Sequence, residues 1–237
     1  MKTRVIFLSL AFVISCTFTT ASTPTEQSRK KSAAQSNPKP ADLPTITVNG
    51  VADIDPAKAF GAKDGVLVIE IFSDFQCPTC KQLFETTLAR VMETYVTGAT
   101  PCKIYVVHRD FPLPYHAYSR TAASYARAAA HVGKCQEVEA ALFQNQAKWE
   151  ANGDVKDTVA AVLTPGEMKK VQALVDAKTL EPLIDRDKQL GINLPVLATP
   201  TMVFHTRDGK SYPVAGMVSY DVLKNFLDQL IRQATSS

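Results

Sequence analysis

Two cysteines two residues apart, in the run Cys77-Pro78-Thr79-Cys80, are the side chains whose types and spacing most directly support chemistry. With two residues between them in a first helical turn, their sulfurs can close a disulfide. A thiolate at a helix start faces unsatisfied N–H groups and the positive end of the helix dipole, which lowers its pKa. The spacing therefore predicts a dithiol–disulfide couple. Cys77 is expected as the exposed attacking sulfur, and Cys80, one turn in, as the buried resolving sulfur. Pro78 fits the first turn, where its missing N–H costs little. Pro78 and Thr79 both stand where they tune Cys77. A low-pKa sulfur is a good leaving group, which makes the disulfide form more oxidising.

The elements around the motif must place it at such a junction. Residues 66–72, Val-Leu-Val-Ile-Glu-Ile-Phe, form a nearly continuous apolar run, as expected for a strand covered on both faces. A helical pattern over 78–96 puts Leu83, Phe84, Leu88, Val91 and Met92 on one face. Residues 103–108 read as a second buried strand, giving a βαβ unit with parallel strands. Upstream, residues 45–48 alternate and end at the turn pair Asn49-Gly50. Residues from about 115 to 192 are helical in pattern. They include a capping box at Thr164-Pro165-Gly166-Glu167, a cap at Thr179 before Pro182, and Gly191 as a terminator. Strands at 201–205 and 212–217 and a final helix capped by Ser219 follow. The order predicts an α/β fold with an inserted α-helical lobe, in one domain over 45–237.

The N-terminus reads as an export signal. Lys2 and Arg4 precede an apolar run over 5–14 that is too short to span a bilayer. Two processing readings stand. Val13-Ile14-Ser15-Cys16 resembles a lipobox, with Cys16 lipidated and the signal ending before it. Alternatively Thr19-Thr20-Ala21 is an ordinary cleavage site, making 1–21 the signal peptide. Residues 22–44 are rich in Ser, Thr, Pro, Ala, Gln and Lys and read as a disordered tether. The expected location is periplasmic or otherwise extracytoplasmic, with a lipid anchor if Cys16 is modified. Disulfides persist in such compartments.

Of the five cysteines, setting aside Cys16 and the pair 77/80 leaves Cys102 and Cys135 for a structural disulfide; two separate buried thiols are the alternative. Cys77, Cys80, His131 and Cys135 also have formal zinc-ligand spacing, but the halves are 50 residues apart and no metal is expected. His108 and His116 lie near the turn after the second strand and border the motif region. Trp149 reads as packing within the lobe. Residues 45–237 carry 20 basic and 21 acidic side chains, so no nucleic-acid-binding face is expected.

Three segments in order carry a resemblance. The motif run from Ile71 to Lys81, the segment His108-Arg109-Asp110-Phe111-Pro112-Leu113 and the loop Ala198-Thr199-Pro200-Thr201 resemble those of DsbA-like thioredoxin-fold proteins. The resemblance covers roughly residues 45–235. It implies a thioredoxin-like fold with the helical insertion, and thiol–disulfide oxidoreductase activity without a cofactor. It implies a cis peptide at Pro200, with Thr199 offering its backbone to a bound substrate strand and Pro200 keeping metal from the thiols. The implied partners are exported proteins with cysteines, and a membrane or thioredoxin-type protein for recycling. A dithiol oxidase is favoured. A reductase or isomerase, or a non-catalytic peptide-binding protein of the same fold, are the alternatives. One departure stands out. Many members place an acid six residues before the first cysteine, behind the resolving thiol; here that residue is Ile71. The acid is Glu70, whose side chain points to the opposite face of the strand.

Overall fold

The computed structural model describes residues 45–98 and 103–235. The expected signal, the lipidation site Cys16, the tether 22–44 and Cys102 lie outside the described residues.

A hairpin of β1 (Ile46–Val48) and β2 (Val51–Ile54) turns at Asn49 and Gly50, both with positive φ. A single 3-10 turn (Pro56–Lys58) leads to β3 (Ala59–Gly61). Then come β4 (Leu67–Ser73), α1 (Pro78–Gln82), a π-helical stretch (Leu83–Leu88), α2 (Ala89–Tyr95) and β5 (Ile104–Asp110). Six helices follow: α3 (Ser119–Ala130), α4 (Cys135–Gln144), α5 (Gln146–Trp149), α6 (Val155–Ala160), α7 (Pro165–Asp176) and α8 (Glu181–Asn193). The chain closes with β6 (Thr201–Thr206), β7 (Ser211–Ala215) and α9 (Tyr220–Thr235).

The main sheet has the order β3-β5-β4-β6-β7. Central β4 pairs parallel with β5 and antiparallel with β6. Every residue of β4 is buried, which is why its sequence is apolar rather than alternating. One face, with Ile69, Ile71, Val106, Met202 and Phe204, packs on the π-helical stretch, α2 and α9. The other face receives the β1–β2 hairpin through Val48, Val51, Ile54, Val68, Tyr105 and Val107. Between β5 and β6 stands the helical lobe, the inserted block that the sequence pattern predicts. Its central helix α3 is buried along almost its whole length. Ala-rich sequence allows such close approach from all sides. Trp149 is fully buried in the lobe and donates its indole N–H to the Leu142 carbonyl at 2.7 Å.

Three local expectations change. β2 and β3 do not stand out in the sequence, because one contains Asp53 in a left-handed conformation and the other is three residues long. Leu180, not Thr179, occupies the N-cap of α8, while Thr164 caps α7 in a full capping box as expected. Gly191 does not end α8, which runs on to Asn193. It marks a close approach instead: a Cβ there would stand 2.5 Å from Phe111 Cε2.

The lobe is joined to the sheet by buried charge. Asp110, ending β5, meets Lys58 Nζ at 2.5 Å and Arg127 Nη2 at 2.7 Å. Arg127, on α3, also reaches Asp55 at 3.0 Å and pairs with Asp187 on α8. Arg109 binds Glu70 at 2.7 Å and Asp187 at 3.0 Å, and donates to the backbone carbonyls of Ala52 and Asp53. Burial opposes these charges. Even so, Lys58 and Arg127 hold the Asp110 carboxyl well below the usual carboxylate range, and the three carboxylates raise Arg127. Removing one ion from such a cluster strands the others. Arg127→Met should therefore destabilise the fold by about 3–5 kcal/mol. The check is the urea midpoint, which should fall at unchanged slope; a midpoint equal to that of the parent would show that the cluster adds nothing.

Candidate active site

The motif sits where β4 gives way to α1. Cys77 is the N-cap of α1, with extended backbone (φ −75, ψ 118), and Pro78 occupies the first turn. The approach to it is tightly held. Asp74 accepts from the Gln76 N–H at 2.7 Å and the Leu113 N–H at 2.8 Å, and pairs with His116 Nδ1 at 2.9 Å. Gln76 accepts from the Tyr118 N–H at 2.5 Å. Gln146, from the lobe, donates to the carbonyls of Phe75 at 2.7 Å and Cys77 at 3.2 Å. These contacts fasten the loop before the first cysteine to the segment after β5 and to the lobe. His116 therefore belongs to the frame of the site.

Both thiols are free. They differ in environment as the spacing implies, but Cys77 is less open than expected. It is 7% exposed against 2% for Cys80, because Thr199 and the lobe cover it. Pro78 is exposed and Thr79 half-buried, so the open surface of the motif lies on those two residues. The Cys77 thiol is pulled down to about 5. The largest cause is the hydrogen bond from the Cys80 thiol. Thr199 and the backbone N–H groups of Cys80 and Thr79 add to it against the cost of burial. Those two N–H groups are the unsatisfied donors of the first helical turn. Cys80 moves the other way. Burial raises its pKa, and the neighbouring Cys77 raises it further. One sulfur is thus made to hold charge and the other to hold a proton.

Thr199 and Pro200 complete the wall. Their peptide bond is cis, as the resemblance implies. In its protonated form Cys77 Sγ donates to the Thr199 carbonyl at 3.3 Å, from 122 residues away in sequence. The loop that carries them leads into β6, and Leu197 beside it is 91% exposed.

Glu70 takes no part behind Cys80. Its carboxylate lies on the other face of β4, between Arg109 and His205 Nε2 at 2.8 Å. The position behind Cys80 is Ile71, which shares a cavity wall with it. Cys135, expected in a bridge to Cys102, is a buried free thiol beside Glu139 and Lys58; Cys102 itself lies outside the described residues. His131 contacts Asp55 at 3.4 Å. Among the described residues, no group of three or more His, Cys, Asp or Glu is arranged to hold a metal ion. None of the described helices is long and apolar enough to cross a membrane.

The anchors Asp74, Gln76 and Gln146, and the charged pairs Lys58–Asp110 and His108–Glu139, are missing from the sequence reading. The available signal was charge in apolar settings: Arg127 in an Ala-rich helix, and His108 to Asp110 ending a buried strand.

The family model described as Thioredoxin matches residues 53–229. No curated protein matches the chain. Among solved structures, alpha-DsbA1 of Wolbachia pipientis superposes with a TM-score of 0.64 at 21% identity, over 76% of this chain and 92% of that one. BdbD from Bacillus subtilis gives 0.60 at 18% identity, over 74% and 92%. A thioredoxin-like oxidoreductase from Silicibacter pomeroyi gives 0.60 at 23% identity, also over 74% and 92%. With this frame around a dithiol of unequal proton affinities, the chain belongs to the thioredoxin family, as a thiol–disulfide oxidoreductase of DsbA-like fold.

Proposed function

We propose that the chain is an exported dithiol oxidase that forms disulfides in other exported proteins. The observation that carries this reading is the unequal pair of thiols: Cys77 drawn down to about 5 beside a Cys80 pushed up. In the oxidised protein, a substrate thiolate attacks Cys77 Sγ and the Cys77–Cys80 bond breaks. A mixed disulfide links substrate to Cys77, and Cys80 departs. A second substrate thiolate then attacks the substrate sulfur, and Cys77 leaves as a stabilised thiolate. The products are a substrate disulfide and a reduced motif. The easier Cys77 leaves, the further the exchange runs toward substrate oxidation.

Thr199 offers its carbonyl beside Cys77 to an extended substrate segment, by strand addition. Pro200 shapes that wall, and Pro78 and Thr79 form the opposing surface. Turnover needs a membrane or thioredoxin-type partner that removes the two electrons. Export through the segment 1–21, or lipid attachment at Cys16 with 22–44 as tether, would put the protein where its substrates are. The alternatives of the same fold, reductase and isomerase, use the same residues in the opposite direction or on wrong disulfides.

Two sets of measurements check this reading. The reduction potential of the Cys77–Cys80 couple should fall toward the oxidising end of known CxxC proteins, nearer about −120 mV than about −270 mV. A value at the reducing end would reverse the direction. Cys77→Ser should abolish oxidation of a reduced, unfolded substrate.

The second concerns pH. A thiol whose folded pKa is depressed stabilises the reduced protein fully above its unfolded value, and that stabilisation is lost as pH falls through about 5. Thiolate absorbance of the reduced protein should titrate near 5, and Cys80→Ala should move the midpoint upward. The advantage of the reduced over the oxidised form in thermal unfolding should shrink from pH 7 to pH 4. A Cys77 midpoint in the ordinary thiol range would remove the basis for an oxidase.

A further inference from the structure

We infer that His108, held by Glu139, takes up and returns the proton of Cys80 through the cavity behind the motif. The inference rests on the oxidoreductase reading and names a part of it that Ile71 leaves unfilled.

The cavity lies between the sheet, the first helix and α4, with a volume of about 260 Å³. Cys80 lines it, with Ile71, Ser73, His108 and Glu139. The register explains the company. Ile71 pairs with His108 across the parallel β4–β5 ladder, so the two side chains share a face. The place an acid would occupy behind Cys80 is thus apolar, and the ionisable side chain stands one strand away on the same wall. The His108 ring packs on Phe75, with centroids 5.5 Å apart, and its Nδ1 lies 2.6 Å from Glu139 Oε1. Its Nε2 is buried and has no hydrogen-bond partner. An unpartnered buried ring nitrogen is costly unless something uses it. Most of the cavity wall is apolar, and Ser73, Cys80, His108 and Glu139 supply the polar atoms beside which a bridging water can stand.

Other charges face the pair from each neighbouring element. Lys58, before β3, stands 3.5 Å from Glu139 and also holds Asp110 of β5, which Arg127 of α3 contacts too. Cys135, at the start of α4, lies beside Glu139 as a thiol pushed up by burial. Cys80 faces the cavity from α1, one turn beyond the N-cap Cys77. Burial works against a charge on Glu139, but His108 and Lys58 hold its carboxyl below the usual range. An ionised carboxylate at Nδ1 fixes the ring and favours its proton there, leaving Nε2 to exchange.

The proton balance is simple. When substrate attacks Cys77, the S–S bond breaks and Cys80 Sγ leaves with the electron pair. The imidazolium of His108 supplies a proton through cavity water, so Cys80 becomes a neutral thiol and the ring becomes neutral. In the reverse step the neutral ring accepts the Cys80 proton. The Cys80 thiolate then attacks the mixed disulfide at Cys77 and expels the substrate thiolate. His108 acts through water and so is a positioning residue for the proton.

The test is single-turnover resolution of a Cys77–peptide mixed disulfide, followed from pH 5 to 9 in the full chain and in His108→Asn. Asn can keep the contact to Glu139 but lacks Nε2. The variant should resolve the mixed disulfide on the order of 100-fold more slowly at pH 7. The deficit should close as pH rises, while alkylation of Cys77 in the reduced protein keeps its parental rate. A parental rate and pH profile in His108→Asn would overturn the inference alone. A parent protein inert in exchange would overturn the oxidoreductase reading beneath it. Should the variant not fold, the ring 15N resonances of His108 in the parent decide. They should show Nε2 protonated in the disulfide form and unprotonated in the dithiol form, and identical resonances in both would overturn the inference.

Discussion

Asp110 is a carboxylate with no exposed surface on its side chain, placed at the end of the strand that flanks the motif strand. A buried charge needs partners, and this one draws them from two directions. Lys58 comes from the turn before the edge strand, and Arg127 from the central helix of the lobe. Arg127 in turn engages Asp55 and Asp187, so one ion sets the seating of the turn, the lobe and α8 on β5. Well-packed apolar residues could give equal stability at such a place, since desolvation offsets much of the attraction. Charge pairing adds direction. The observed seating of α3 brings Arg127 to all three carboxylates. The motif depends on that seating, because Gln146 and the apolar face of the lobe hold the carbonyls and side chains around Cys77.

From that frame the unequal thiols follow with few further assumptions. The N-cap position gives Cys77 the free N–H groups of the first turn, and burial one turn further in denies Cys80 its charge. The two effects reinforce each other. A proton kept on Cys80 is available to hydrogen-bond to Cys77, which is the largest single cause of the lowered value there. No cationic side chain inside the motif is required. The neighbouring charges that do exist are spent on one another: Lys58 on Asp110 and Glu139, Arg109 on Glu70 and Asp187.

The chemistry of the site was legible in sequence because it is local. A CxxC run between a buried apolar strand and an amphipathic helix needs little tertiary information, and Thr199-Pro200 was reachable through its resemblance. The six-helix lobe was legible as a block, and Thr164 with Glu167 as a cap, because their signals span a few residues. What escaped is what long-range packing decides. Lys58 and Asp110 are 52 residues apart, and Gln146 and Phe75 are 71 apart. Gly191 reads as a helix stop until Phe111 is placed against it. The exposure assigned to Cys77 failed for the same reason: its cover comes from Thr199 and the lobe, neither of which local pattern can position.

Ile71 has a consequence for how the two thiols are coupled. A carboxylate there would face Cys80 in a low-dielectric wall and, when charged, would oppose any thiolate in the motif. An apolar residue imposes no such repulsion, so Cys77 can hold its charge with only Cys80 and the helix to satisfy. The apolar wall has a cost at the next step, because a departing Cys80 thiolate finds no proton donor on the residue behind it. The same face of the sheet places an imidazole with a free Nε2 one strand away, anchored by an ionised Glu139. Separating the proton donor from the charged sulfur in this way lets the site stabilise the Cys77 thiolate and still neutralise Cys80.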